Sequence, residues 1–217
     1  MDRVSVAHAV RQPKAAAVAG LAFGLILATV LVLLQSAAPE TVAESGQWTA
    51  DLARREAVVT ALTLIPFAGI AFLWFVAVVR SELGRREDRF FETVFLGSGL
   101  LFVAMLFAAA AVLSAVLAVE DGGGTVSTDV AAESWAMASA LIGQFGARMA
   151  AVFALAVSTA GRRIGSLPRP VALLGYCCGI LLLATPPMPT WATLLFPLWV
   201  ITISVLVLVR HPVPVEG

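Results

Sequence analysis

Uncharged apolar runs, each closed by a short cluster of charge, recur along the whole chain. At a helical rise of 1.5 Å per residue, about 20 such residues match the hydrocarbon core of a bilayer. The runs cover residues 15–34, 57–79, 93–119, 134–160, 171–185 and 191–209. They predict an all-α polytopic membrane protein, a bundle of six transmembrane helices forming a single domain over residues 1–217. The fifth run is short for a full crossing. Pro186, Pro187 and Pro189 after it predict a tight turn joining an antiparallel pair. The first run follows Arg3, Arg11 and Lys14 and precedes Ser36-Ala37-Ala38, the order of a signal peptide. Its length exceeds the roughly 7 to 15 residues of a signal core, so it reads as a retained first helix.

Composition confirms the class. Of 217 residues, 60% are apolar and 13% charged, with a mean hydropathy of +0.95, against about half and a quarter in soluble domains. Fourteen Lys and Arg balance fourteen Asp and Glu, so no basic field marks a nucleic-acid partner. The signs are nevertheless segregated. Arg3, Arg11, Lys14, Arg80, Arg85, Arg86, Arg89, Arg162, Arg163, Arg169 and Arg210 fall on one side of the runs, and only Arg54 and Arg55 on the other, among most of the acids. The positive-inside rule then makes both termini cytoplasmic. Trp48, Trp135 and Trp191 stand at the opposite ends of helices two, four and six, where an indole favours the headgroup layer.

The connections are short. Asp51 to Glu56 suit an interfacial extension of helix two. Gly122-Gly123-Gly124 loosens the next outer turn, and Ser127, Thr128 or Asp129 is placed to cap helix four. The stretch from Arg80 to Glu92 reads as a cytoplasmic turn ended by Gly84 and anchored by Phe90 and Phe91, or as a docking loop for a partner or anionic lipid. Gly20 with Gly24, and Gly175 with Gly179, give GxxxG spacings for close helix contact, within the chain or in a homo-oligomer. Pro66, Pro197, Gly143 and Gly146 place a weakness at similar depth in helices two, six and four, as in transporters with broken helices.

Arg148 is the one charge inside a run, roughly 21 Å from either end of helix four. An arginine there costs about 2.5 to 3.5 kcal/mol by insertion scales, and no intramembrane acid pairs with it. Gln144, Trp199, Thr202 and the vicinal Cys177 and Cys178 lie at comparable depth. Either Arg148 bonds Gln144 and the carbonyls of Leu62 and Thr193 that Pro66 and Pro197 release, or it holds an anionic ligand, with Gln144, Trp199 and Thr202 as candidate site residues. The cysteines read as small apolar fillers.

His8 and His211 lie in the tails, no Lys lies in a run, and no acidic pair or activated serine lies in the membrane. No catalytic residue, metal site or cofactor is expected. Ile65-Pro66-Phe67-Ala68-Gly69 with Trp74-Phe75, running into Arg85-Arg86-Glu87-Asp88-Arg89-Phe90-Phe91, and Leu167-Pro168-Arg169-Pro170 before a glycine-rich run, resemble uncharacterised small multi-pass membrane proteins of actinobacteria and related bacteria. The resemblance implies a six-helix protein with no assigned activity. The expected setting is a bacterial cytoplasmic (inner) membrane. The expected partners are the lipid bilayer, other membrane proteins or a second copy of the chain. The alternative is a small-solute or lipid carrier that holds an anionic lipid or small anion at Arg148.

Overall fold

Inside an apolar solvent a helix is the simplest way to pair every backbone N–H and C=O within one segment, and the apolar runs fold accordingly. The computed structural model describes residues 3–39, 44, 46–83, 89–165, 167–184 and 190–210, with the side chains of 3–16, 78, 81–83, 89–92, 190–191 and 210 excepted. The helices are α1 (Arg3–Ala37), α2 (Leu52–Leu83), α3 (Arg89–Asp121), α4 (Thr128–Arg163), α5 (Arg169–Ala184) and α6 (Leu195–Arg210), the last entered through a 3-10 turn, Thr190–Leu194. No strand occurs among the described residues. Five of the six apolar segments are long enough to cross a membrane, while α5, with 16 residues, is shorter.

Consecutive helices are neighbours, and α6 closes the ring by packing against α1. The centre is an aromatic layer. Phe72 of α2 lies 4.5 Å from Phe23 of α1, 5.4 Å from Phe102 of α3, 5.1 Å from Phe153 of α4 and 6.1 Å from Phe196 of α6, ring centroid to ring centroid. The tilted and edge-on arrangements are those aromatic quadrupoles favour. Serines 98, 158 and 204 are the buried polar residues among those described, so the ring's interior carries no charge.

The glycine pairs act within the chain. A Cβ at Gly20 would strike Ser204 and Phe75, and one at Gly24 would meet Ile201 and the Pro197 carbonyl. Gly175 likewise fits against Ser158 and Trp199, and Gly179 against Leu155 and the Ala151 carbonyl. These faces seat α6 on α1 and α5 on its neighbours, which leaves neither glycine pair open to a second copy.

The helices end unevenly beyond the aromatic layer. At 1.5 Å per residue, α2 and α3 run about 30 Å past it, α1 about 21 Å, and α6 with its 3-10 turn only about 9 Å. The taller end is closed by Trp48. This side chain is fully buried, donates from Nε1 to the Ala131 carbonyl at 3.1 Å, and packs on Trp135 at 5.8 Å. Trp48 is therefore a tertiary strap and not the headgroup anchor expected of it, because its indole N–H has an internal acceptor. The helix starts are capped locally: Asp51 Oδ1 accepts from the Ala53 and Arg54 N–H groups, and Ser127 Oγ from Val130. At this end Arg54 pairs with Glu44 at 3.6 Å and Asp51 at 3.7 Å, while Arg55 pairs with Asp121 at 2.6 Å and Glu120 at 3.8 Å. The turn at Arg85, Arg86 and Arg89, the anchors Phe90 and Phe91, Trp191, the prolines 186, 187 and 189, and the histidines 8 and 211 lie outside the described residues or side chains.

Trp48→Ala is expected to lower unfolding stability by about 3 to 5 kcal/mol, the cost of emptying a buried tryptophan site. Trp48→Phe, which keeps a ring and leaves the Ala131 carbonyl without its donor, should cost less. Thermal unfolding of the purified protein in one detergent measures both.

Candidate functional site

Helix α4 changes its winding where Arg148 sits. Thr128–Ala140 and Ala147–Arg163 are α-helical, and between them Leu141–Gly146 forms a π turn. The Ala147 N–H reaches Ile142, five residues back, as well as Gln144. A π turn is wider than an α turn, so its carbonyls are less shielded, and such turns concentrate at functional sites. Arg148 uses one of them: its Nη1 donates to the Gln144 carbonyl at 2.8 Å. Side chains on a helix lean toward its N-terminus, so this bond carries the guanidinium about one turn, or about 5.4 Å, toward the Trp48 end. The acceptors anticipated at Leu62 and Thr193 are not the ones used. Helix α2 passes through Pro66 as one continuous helix, and the carbonyl that Arg148 reaches is on its own helix. Of the three weak points expected at one depth, α4 is the one that departs from α geometry within its interior.

The end of α5 changes the depth argument. Gly175 faces Ser158, and Gly179 faces Leu155 and Ala151. Continuing this antiparallel register brings Ala184, the last residue of α5, level with Met149 and Arg148. The carboxyl end of α5 is the negative end of its dipole, the favourable sign for a guanidinium at that depth. Distance to the ends of α4 alone therefore overstates the isolation of Arg148.

The proposed site residues do not converge. Arg148, half-buried, and Gln144, exposed, are partners on one helix. Trp199 is 4% exposed and packs on Phe196 at 6.1 Å at the level of Gly175 and Ser158, about 15 Å along the bundle from Arg148. Thr202 is exposed and donates to the Leu198 carbonyl at 2.8 Å. Cys178 is buried and Cys177 exposed, so the adjacent thiols point apart. One feature was not anticipated. Where α5 and α6 stop short beside the taller α4, a cavity of about 300 Å³ opens against the π turn, with Gln35, Trp135, Ser139, Gln144 and Thr193 among its lining residues. Gln35 ends the first apolar run and Gly143 and Gln144 break the fourth, and these were the sequence marks of it.

Trp199 and Ser158 carry a further cost. Trp199 Nε1 and the Ser158 and Ser204 hydroxyls are buried without hydrogen-bond partners. A buried polar group left unpaired costs roughly 1 to 3 kcal/mol. No family model, no curated protein and no solved structure matches the chain.

Trp199→Phe, which keeps the ring stack and deletes the unpaired N–H, is expected to leave stability unchanged or raise it by about 1 kcal/mol. Trp199→Ala should lower it by about 3 to 5 kcal/mol. Thermal unfolding that ranked Trp199→Phe with Trp199→Ala would place a bound partner on the indole nitrogen.

Proposed function

We propose that the protein is a non-catalytic, multi-pass component of a bacterial cytoplasmic membrane, with both termini cytoplasmic, that works by lateral association with other membrane proteins or with itself. The observation that carries the reading is the position of Arg148. Its side chain lies half-buried on the flank of the ring, one turn from the exposed Phe145, and its hydrogen bond is to its own helix. A guanidinium has five N–H donors. Among apolar neighbours each unused donor is unfavourable, and a carboxylate on a neighbouring membrane helix would take two of them in a bidentate pair.

The same arrangement ranks association above transport. A carrier holding an anion at Arg148 needs a path through the ring, and the aromatic layer around Phe72 fills it. The topology rests on charge. Among the described residues Arg80, Arg162, Arg163 and Arg169 gather at one end and Arg54 and Arg55 at the other, a bias in the direction of cytoplasmic termini.

A photo-crosslinking amino acid placed at Phe145 is expected to form a discrete adduct with one membrane protein in cells, and the same probe at Leu173 on another face is not. Arg148→Leu should weaken that adduct about tenfold or more, the scale of losing one member of a desolvated charge pair. The isolated variant should unfold no earlier than the parent, since it loses one hydrogen bond and a costly charge together. Adducts with lipid alone, or an adduct indifferent to Arg148→Leu, would contradict the association reading.

A further inference from the structure

What fits the Arg148 flank, once that flank is read as the lateral contact proposed above, is decided by where the chain's own acids stand. Helix α4 sets Leu155 and the Ala151 carbonyl against Gly179 of α5, and Gly146 and Phe153 against Met105 and Phe95 of α3. Arg148 lies on the strip between these two seams. Met149 and Val152 are half-buried beside it, and Gln144 and Phe145 are exposed on the turn above. No other charged residue occurs from residue 134 to 160, so the strip's own chemistry offers Arg148 no acid.

An ion pair between two proteins in one bilayer must match in height, and two copies inserted the same way hold every residue at the same height. Measured from the aromatic layer toward the Trp48 end, the Arg148 backbone is about 7.5 Å away, and its guanidinium, leaning to the Gln144 carbonyl, about 13 Å. The acids at that end stand farther out. Glu56 is 16 residues before Phe72, Glu120 is 18 after Phe102 and Glu133 is 20 before Phe153, or about 24, 27 and 30 Å from the layer. Glu56 and Glu133 also lean outward, toward the N-termini of α2 and α4. Asp121 and Asp129 adjoin Glu120 and Glu133, and Glu44 and Asp51 pair with Arg54 at the cap. Glu40, outside the described residues, falls in sequence between Glu44 and Ala37, itself about 21 Å from the layer. Glu82, Glu87, Asp88 and Glu92 fall in sequence where α2 passes to α3 at the opposite end, and Asp2 and Glu216 in the tails. Even Glu56 is thus about 11 Å too far along the axis, where an ion pair needs about 4 Å or less. Nor does a two-fold contact at this strip help, since it sets the same patch against itself and brings Arg148 toward Arg148, like charge to like.

We infer that the partner at this flank is not a second copy but a different membrane protein, with a transmembrane helix that carries an aspartate or glutamate at the height of the Arg148 guanidinium. The guanidinium has donors enough for it: one serves the Gln144 carbonyl, and two of the remaining four take both oxygens of a carboxylate. Each charge alone is unfavourable in hydrocarbon, and both costs are relieved only when the two helices meet. The contact therefore selects its partner by the height of an acid, and a helix with its acid one or two turns away is rejected.

The test co-expresses the full chain, with the photo-crosslinking amino acid at Phe145, and a designed single-span helix of leucine and alanine in bacteria. The designed helix has a basic cytoplasmic flank and one glutamate, moved a turn at a time through its outer half. Adduct yield is expected to peak at one glutamate position, about tenfold above glutamine at that position, and to fall back within two turns on either side. Arg148→Leu should erase the peak, and Arg148→Gln stands in if Arg148→Leu fails to fold, which thermal unfolding reveals. Equal yields with glutamate and glutamine, or a peak that survives replacement of Arg148, would overturn the inference. A differently tagged second copy in the same cells is expected to give no adduct that depends on Arg148. A second-copy adduct lost in Arg148→Leu would overturn the choice of partner and leave lateral association standing, whereas adducts with lipid alone in every pairing would remove both.

Discussion

The ring of helices depends on the contacts made by Phe72. Helices surrounded by hydrocarbon gain little from hiding apolar side chains, so what holds them is close packing and the specific geometry of their contacts. Phe72 supplies this at one point for α1, α3, α4 and α6 at once. The glycine faces extend the same logic outward, because Gly20, Gly24, Gly175 and Gly179 let backbones approach where any side chain would collide. An aromatic hub and small-residue seams are complementary. The hub fixes which helices meet, and the seams fix how closely.

Arg148 then shows how a charge is accommodated in such a structure without an acid. Three local features coincide at its depth: the π turn that carries the Gln144 carbonyl, the lean of the side chain toward that carbonyl, and the carboxyl end of α5. Each lowers the electrostatic cost a little, through a hydrogen bond or a favourable dipole. Together they account for an arginine that folds in place, but they employ only part of its donor capacity. The surplus is what points outward from the chain.

The helices and their order were legible because the 20-residue length requirement and the scarcity of charge leave few alternatives. The short fifth run was legible too, and α5 is the helix that falls below spanning length. The roles of single residues were less so. Trp48 reads as an interfacial anchor from its place in the sequence, yet the loop folds back and gives its N–H the Ala131 carbonyl, a long-range pairing that no local pattern encodes. Gln144 was correctly marked as the neighbour of Arg148, but the bond uses its backbone carbonyl, which a list of side chains does not show. Trp199 and Thr202 share with Arg148 only an assumed depth. Depth was measured along α4 alone, and the register set by Gly175 and Gly179 places Trp199 well away from it.

The uneven lengths of the helices connect these local facts. Had all six ended together, the π turn would be enclosed by neighbours and its carbonyl would serve packing alone. Instead α5 stops at Ala184 and α6 begins from a 3-10 turn at Thr190, while α4 continues to Thr128 and α1 to Ala37. The step left by the shorter pair is where the helix has room to widen, where alanines and Gly143 leave space unfilled, and where the side chains of Gln35, Ser139, Gln144 and Thr193 gather. On the far side of the same widened turn, Arg148 reaches its carbonyl. One irregularity in one helix therefore lies between the charged flank and the cavity, and the shortness of α5 and α6 is the reason it is tolerated.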